Sequence, residues 1–155
     1  GTGLVGSEMC IRDRSNSSYE IYCKTLKPIK KISTKEFPGY PTDLQAQLIA
    51  TQLKSGLKSK VVENIFENRF IHIPELRRFG ANLSIKGNTV TIDKTSNLLG
   101  AEVMATDIRA SFSLIIAAMM SKGKTVINRI YHLDRGYEDF DLKLKKCGVN
   151  ISRKK

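Results

Sequence analysis

The stretch VMATDIRASFSLIIAAMM, Val103 to Met120, decides the fold. It opens on Thr106, Asp107 and Arg109, then runs from Phe112 to Met120 with Ser113 as its only polar residue. Helical spacing puts Ile108, Phe112, Ile115 and Met119 on one seam, while Leu114, Ile116, Ala117, Ala118 and Met120 cover the remainder. The predicted helix over 107–120 is therefore apolar nearly all round, and outside a membrane such a helix has to be buried on all sides. That requirement points to an α/β architecture with helices inside and sheets outside.

Sixty-four positions upstream, YPTDLQAQLIA (Tyr40 to Ala50) repeats the Thr-Asp pair before a second helical pattern. Thr42 is expected to cap a helix from Asp43 to about Lys54, with Gln45 completing a Thr-x-x-Gln capping box. Leu44, Leu48, Ile49 and Leu53 define its expected buried side. Before it, YEIYCKT (19–25) and KPIKKIS (27–33) read as short strands and FPGYP (37–41) as a Pro-Gly turn. After it come a β-rich run, KVVENIF (60–66), and a short helix, IPELRRFG (73–80), with Pro74 near its start and Gly80 at its end. ANLSIKGNTVTIDK (81–94) alternates around Gly87 and Asn88 as a hairpin. The pattern then restarts: Asp43 corresponds to Asp107, Ile65 to Ile130, Arg69 to Arg135 and Gly80 to Gly148. A repeat of this length means two βαβ-like modules, about 21–98 and 99–155, packed together.

A chain of 155 residues suffices for one domain, and 41% hydrophobic with 26% charged residues is a globular composition. No apolar run approaches the ~20 residues that span a bilayer, which makes the cytoplasm the default location. The first fourteen residues, GTGLVGSEMCIRDR, match nothing that follows and look like read-through of sequencing-adapter ends; they are expected to be disordered and outside the fold. Cys10, Cys23 and Cys147 lack CxxC spacing, so neither a disulfide framework nor a zinc site is expected. The net charge of +11 raises a basic nucleic-acid-binding module as a competing class. Its lysines are dispersed without interleaved aromatics, however, which is the pattern of a solvated surface.

Two roles fit each Thr-Asp pair. One is helix capping, in which threonine accepts from an orphan N–H and aspartate complements the dipole. The other is a carboxylate held over a cleft to orient or deprotonate a hydroxyl. Spacing alone does not rank Asp43 against Asp107. Arg69 in FENRFIH and Arg135 in YHLDRGYED sit in loops, either as surface ion pairs (Arg69 with Glu67, Arg135 with Asp134 or Glu138) or as convergent anion ligands. Arg109 lies one turn into a buried helix, where an unpaired charge is costly. His72 and His132 are lone histidines better suited to structural hydrogen bonds than to catalysis. Walker, GxGxxG and GxSxG patterns are absent, which disfavours the chemistries that need them.

Together FPGYPTDLQAQ (37–47), ENIFENRFIHIPELRRFGANLSI (63–85), GAEVMATDIRAS (100–111) and VINRIYHLDRGYEDFDLKLKKCGVNI (126–151) carry a resemblance. They closely resemble the C-terminal part of the UDP-N-acetylglucosamine 1-carboxyvinyltransferases, the enolpyruvyl transferases of peptidoglycan synthesis, over about Ile21 to Arg153. The shikimate-pathway enolpyruvyl transferases are a close rival within the same fold. The resemblance implies inside-out α/β barrels of βαβαββ modules with buried helices, of which this chain is an incomplete part. It implies transfer of the enolpyruvyl group of phosphoenolpyruvate to the 3-hydroxyl of UDP-N-acetylglucosamine with release of phosphate, and no metal or organic cofactor. By motif, Asp43 is the implied base on the sugar hydroxyl. Ile65 and Phe66 contact the sugar nucleotide, and Arg69, Arg109 and Arg135 line the phosphoenolpyruvate cleft, with Arg135 acting on domain closure. The family's amino-terminal domain, with a Lys-Asn pair and a reactive-cysteine loop, has no counterpart here, so the chain alone is expected to be inactive and to need that domain as partner.

Overall fold

The computed structural model describes residues 10–14, 19–23 and 28–154. In chain order its elements are β1 (Cys10–Arg14), β2 (Tyr19–Cys23), β3 (Lys31–Ser33), a 3₁₀ turn (Thr42–Leu44), α1 (Gln45–Gln52), β4 (Ser59–Val62), α2 (Ile73–Arg78), β5 (Leu83–Lys86), β6 (Thr89–Ile92), β7 (Glu102–Met104), α3 (Ile108–Met120), β8 (Val126–Asn128), α4 (Tyr131–Asp134) and α5 (Phe140–Lys146). From β3 to β6 the order is strand, helix, strand, helix, strand, strand, and β7–α3–β8 begins the same order again.

Parallel strands cannot be joined by a tight turn and need a crossover. Both helices that follow a Thr-Asp pair supply one. β3 and β4 are parallel neighbours with Lys31 opposite Lys60, and α1 crosses between them. β7 and β8 are parallel with Glu102 opposite Val126, and α3 crosses between them. β4 then pairs antiparallel with β6, and β6 with β5 in the expected hairpin, giving a four-stranded sheet of order β3-β4-β6-β5. Alternation directs Val61, Val90 and Ile92 inward, where they join Ile49, Leu76, Phe79 and Leu114 in one core cluster. A smaller cluster of Ile115, Leu133 and Phe140 forms on the other side of α3. α1 and α3 pack against each other, which brings the starts of the two repeated helices together. The short α2 forms because Pro74 fits a first turn and Gly80, at φ +82°, takes the left-handed conformation that stops it.

The mixed α/β reading holds, and four details differ. α3 is not buried all round: Met119 is 45% exposed, because the described strands supply one four-stranded and two two-stranded sheets that do not close around it. Leu44 is 48% exposed, since it falls in the 3₁₀ turn and is rotated off the helical period of α1. The capping box does not form; α1 begins two residues late, and Thr42 Oγ1 instead donates to Glu63 Oε2 at 2.9 Å. Cys10–Arg14, expected to be unstructured, pairs antiparallel with Tyr19–Cys23. No helix among the described residues is long and apolar enough to cross a membrane.

Candidate active site

Three elements deliver three charged side chains to one point. Asp43 comes from the 3₁₀ turn before α1, Arg69 from the loop between β4 and α2, and Arg109 from the first turn of α3. Asp43 Oδ1 accepts from Arg69 Nη2 at 2.9 Å and lies 2.5 Å from Arg109 Nε. The alternative pairing of Arg69 with Glu67 is therefore not the one adopted. Arg69 is also stacked on Phe66, its guanidinium carbon 4.6 Å from the ring centroid, which limits its rotamers and contributes roughly 0.5–1 kcal/mol. Asp43 is 63% exposed and Arg109 43%, so the cluster faces solvent and remains open to a ligand.

Beneath the cluster lies a cavity of about 210 Å³ lined by Thr42, Gln45, Asn68, Arg69, His72 and Arg109. Gln45 and His72 are each 1% exposed, and their Nε2 atoms have no hydrogen-bond partner. Burial pushes the His72 imidazole down to about 4, with the Arg69 charge adding to the shift and Asp107 opposing it. At neutral pH His72 is thus an uncharged polar group under two guanidiniums. Asn68, at φ +52°, makes the bend that turns Arg69 inward, a conformation asparagine tolerates better than most residues.

Glu63, which sequence reasoning missed, holds this arrangement from below. It is 2% exposed. Its Oε1 accepts from Thr34 Oγ1 at 2.8 Å, Ile65 N at 2.9 Å and Phe66 N at 3.2 Å, and its Oε2 from Thr42 Oγ1 at 2.9 Å. Burial alone raises the carboxyl, but the bonds from Ile65, Thr34, Thr42 and Phe66 outweigh it, and the group sits below the usual carboxylate range. A signal was present in the sequence: period-two alternation along SKVVE places Glu63 on the same inward face as Ser59 and Val61. A carboxylate on that face has to find donors.

The two look-alike aspartates diverge. Asp107 is itself the N-cap of α3, its Oδ1 accepting from Arg109 N at 2.8 Å and Ala110 N at 3.0 Å. Thr106, expected at that position, stands one residue outside with its buried hydroxyl unpartnered. Capping therefore rests on the aspartate in the second copy, while in the first copy the aspartate is left to the arginines.

Arg135 does not line the cavity. It is exposed at the end of α4 and makes no ion pair among the described residues. Asp134, its expected partner, is instead held by both terminal nitrogens of Arg153 at 2.6 and 3.1 Å, which pull its carboxyl below the usual range. The turn bearing Arg135 is nevertheless docked on the start of α3. Gly136 lies so close to Ile108 that a methyl group there would collide with it, and Tyr137 stacks on Phe112 with centroids 4.5 Å apart. Ile65 is half-buried and Phe66 exposed beside Arg69, on the loop that Glu63 shapes. His132 packs on Tyr131 at 4.2 Å, and its Nε2 lacks the expected structural hydrogen bond. A larger cavity, about 1060 Å³, lies away from Asp43 between β8 and the C-terminal segment.

Residues 6–144 match the family model described as EPSP synthase (3-phosphoshikimate 1-carboxyvinyltransferase). Over 151 residues the chain is 51% identical to the UDP-N-acetylglucosamine 1-carboxyvinyltransferase of Pelagibacter ubique (strain HTCC1062), covering 96% of this chain and 35% of that protein. It is 57% identical over 122 residues to the enzyme of the same name from Rhodopseudomonas palustris (strain TIE-1), covering 79% of this chain and 28% of that one. Among solved structures, the enolpyruvyl transferase NikO from Streptomyces tendae superposes with a TM-score of 0.80 at 26% identity, over 93% of this chain and 34% of that chain. The chain thus spans about a third of the length of the relatives it matches.

Proposed function

The chain belongs to the EPSP synthase family, and we propose that it carries the acceptor-side half of a carboxyvinyl-transfer site, acting together with the remaining two thirds of a relative-sized enzyme. The donor in this reading is phosphoenolpyruvate, and the acceptor is the 3-hydroxyl of UDP-N-acetylglucosamine. The alternating strands and helices, with α1 packed on α3, support an incomplete inside-out barrel of two modules, about 21–98 and 99–155. Sites at the junction of two such barrels would lie where the helices begin, which is where Asp43 and Arg109 are.

One observation carries the proposal: Asp43, Arg69 and Arg109 converge from three elements above a small polar cavity. Phosphoenolpyruvate brings a carboxylate and a phosphate, and guanidinium forks match both. An arriving anion competes for the forks now on Asp43 Oδ1, which frees that oxygen to accept the proton of the attacking hydroxyl. The hydroxyl oxygen then bonds to C2 of the enolpyruvyl group while C3 gains a proton. Loss of phosphate, with return of the C3 proton to solvent, restores the double bond. Arg135, on a turn docked beside α3, is proposed to reach the phosphate when the missing domain closes.

Ile65 and Phe66 would bound the sugar nucleotide. The Ile65 N–H is spent on Glu63, so its carbonyl is the group left to accept from a ligand. The test is to graft the chain into the Pelagibacter ubique relative in place of the matching third and measure phosphate release. Turnover with UDP-N-acetylglucosamine but not with 3-phosphoshikimate is expected, with Arg135→Ala reducing it by ~100-fold or more. Turnover only with 3-phosphoshikimate would reassign the acceptor, and undiminished turnover in Arg135→Ala would remove that residue from the site.

A further inference from the structure

We infer that Glu63 is a positioning residue for this site, one that sets Asp43 and the 65–66 loop in a single geometry through separate carboxylate oxygens. The inference rests on the reading above, in which Asp43 serves chemistry and the loop serves the sugar nucleotide. A buried carboxylate would ordinarily be paired with a cation. Glu63 is held by four neutral donors instead: hydroxyls of Thr34 and Thr42, and the N–H groups of Ile65 and Phe66.

Those donors are divided by function. Oε1 gathers the two loop amides and the end of β3, whereas Oε2 receives only Thr42, the residue immediately before Asp43. β3 is extended through the same point, since Thr34 N donates to Val62 O at 2.9 Å and Asn64 N to Thr34 Oγ1 at 2.9 Å. One side chain therefore ties the end of β3, the end of β4, the start of the Asp43 turn and the substrate loop. It also replaces the local capping bond that Thr42 would otherwise make, which explains why the helix begins at Gln45 and leaves Asp43 on a turn facing the arginines. Carboxylate placement within tenths of an ångström is the kind of requirement that proton transfer imposes.

The division predicts separable effects in the grafted enzyme. Glu63→Met keeps the length and removes every acceptor, and is expected to lower kcat by ~100-fold and raise KM for UDP-N-acetylglucosamine. Glu63→Gln keeps Oε1 for the three shared donors and can donate to the Thr42 hydroxyl, so turnover recovers to within ~10-fold of the parent. Thr42→Val breaks only the Oε2 link, and is expected to lower kcat by ~10-fold while KM for the sugar nucleotide stays within ~2-fold. Amide hydrogen exchange over segment 64–68 accelerates in Glu63→Met and not in Thr42→Val. Unchanged exchange in Glu63→Met, or a Thr42→Val variant that moves KM and not kcat, overturns the inference. A parent graft without turnover counts against the functional reading instead, and the exchange measurement still decides the role of Glu63.

Discussion

Oδ1 of Asp43 receives Arg69 at 2.9 Å and Arg109 at 2.5 Å, although the three residues come from separate turns of chain. The residue types were legible in the sequence, through the Thr-Asp repeat and the loop arginines. Their meeting was not, because it depends on α1 lying against α3. What distinguishes Asp43 from Asp107 is also a matter of surroundings: a buried Glu63 takes the threonine in the first copy, and among the described residues no equivalent carboxylate does so in the second, where Asp107 caps. His72 makes a prediction at this scale. The unfolded chain binds its proton below about pH 6.5, whereas the folded imidazole titrates at about 4. Stability is therefore full above pH 6.5 and is lost as pH falls, by up to ~3 kcal/mol at pH 4. Urea denaturation at pH 7 and pH 5 is expected to show this loss, and His72→Asn to flatten it; an unaltered pH dependence in the variant would contradict the assignment.

At the scale of elements, α3 depends on its cap and on the neighbours of its first turn. Asp107→Ala frees two backbone donors and should destabilise the fold by about 1–2 kcal/mol, measured as a lower denaturation midpoint with an unchanged slope. The C-terminal segment depends on Arg153, which bridges Asp134 and the buried Asp141 and lies over Phe140 at 5.2 Å. Arg153→Ala leaves Asp141 without that partner and is expected to cost about 1–3 kcal/mol, with faster exchange in α4 and α5 than in the four-stranded sheet. Most elements were readable from periodicity and turn chemistry: the hairpin through Gly87, α2 between Pro74 and Gly80, and β4 from its β-branched run. The start of α1 was not, because the Thr42 hydroxyl has two possible partners, and the one that wins lies 21 residues away.

For the whole molecule, the apolar circumference of α3 required cover on every face, and the described strands provide it on some. Met119 and a cavity of about 1060 Å³ beside β8 mark the uncovered side. That incompleteness agrees with a chain spanning about a third of its relatives. It also bounds the chemistry in the proposed reading, where the carboxylate and two guanidiniums of the cluster form one wall of a cleft and the rest of a relative-sized enzyme supplies the other. The most direct test is single-turnover phosphate release by the grafted enzyme, comparing the parent with Asp43→Asn at saturating phosphoenolpyruvate and UDP-N-acetylglucosamine. The account predicts a rate lower by ~10³-fold, with UDP-N-acetylglucosamine affinity changed by less than ~5-fold. A rate within a few-fold of the parent would contradict it.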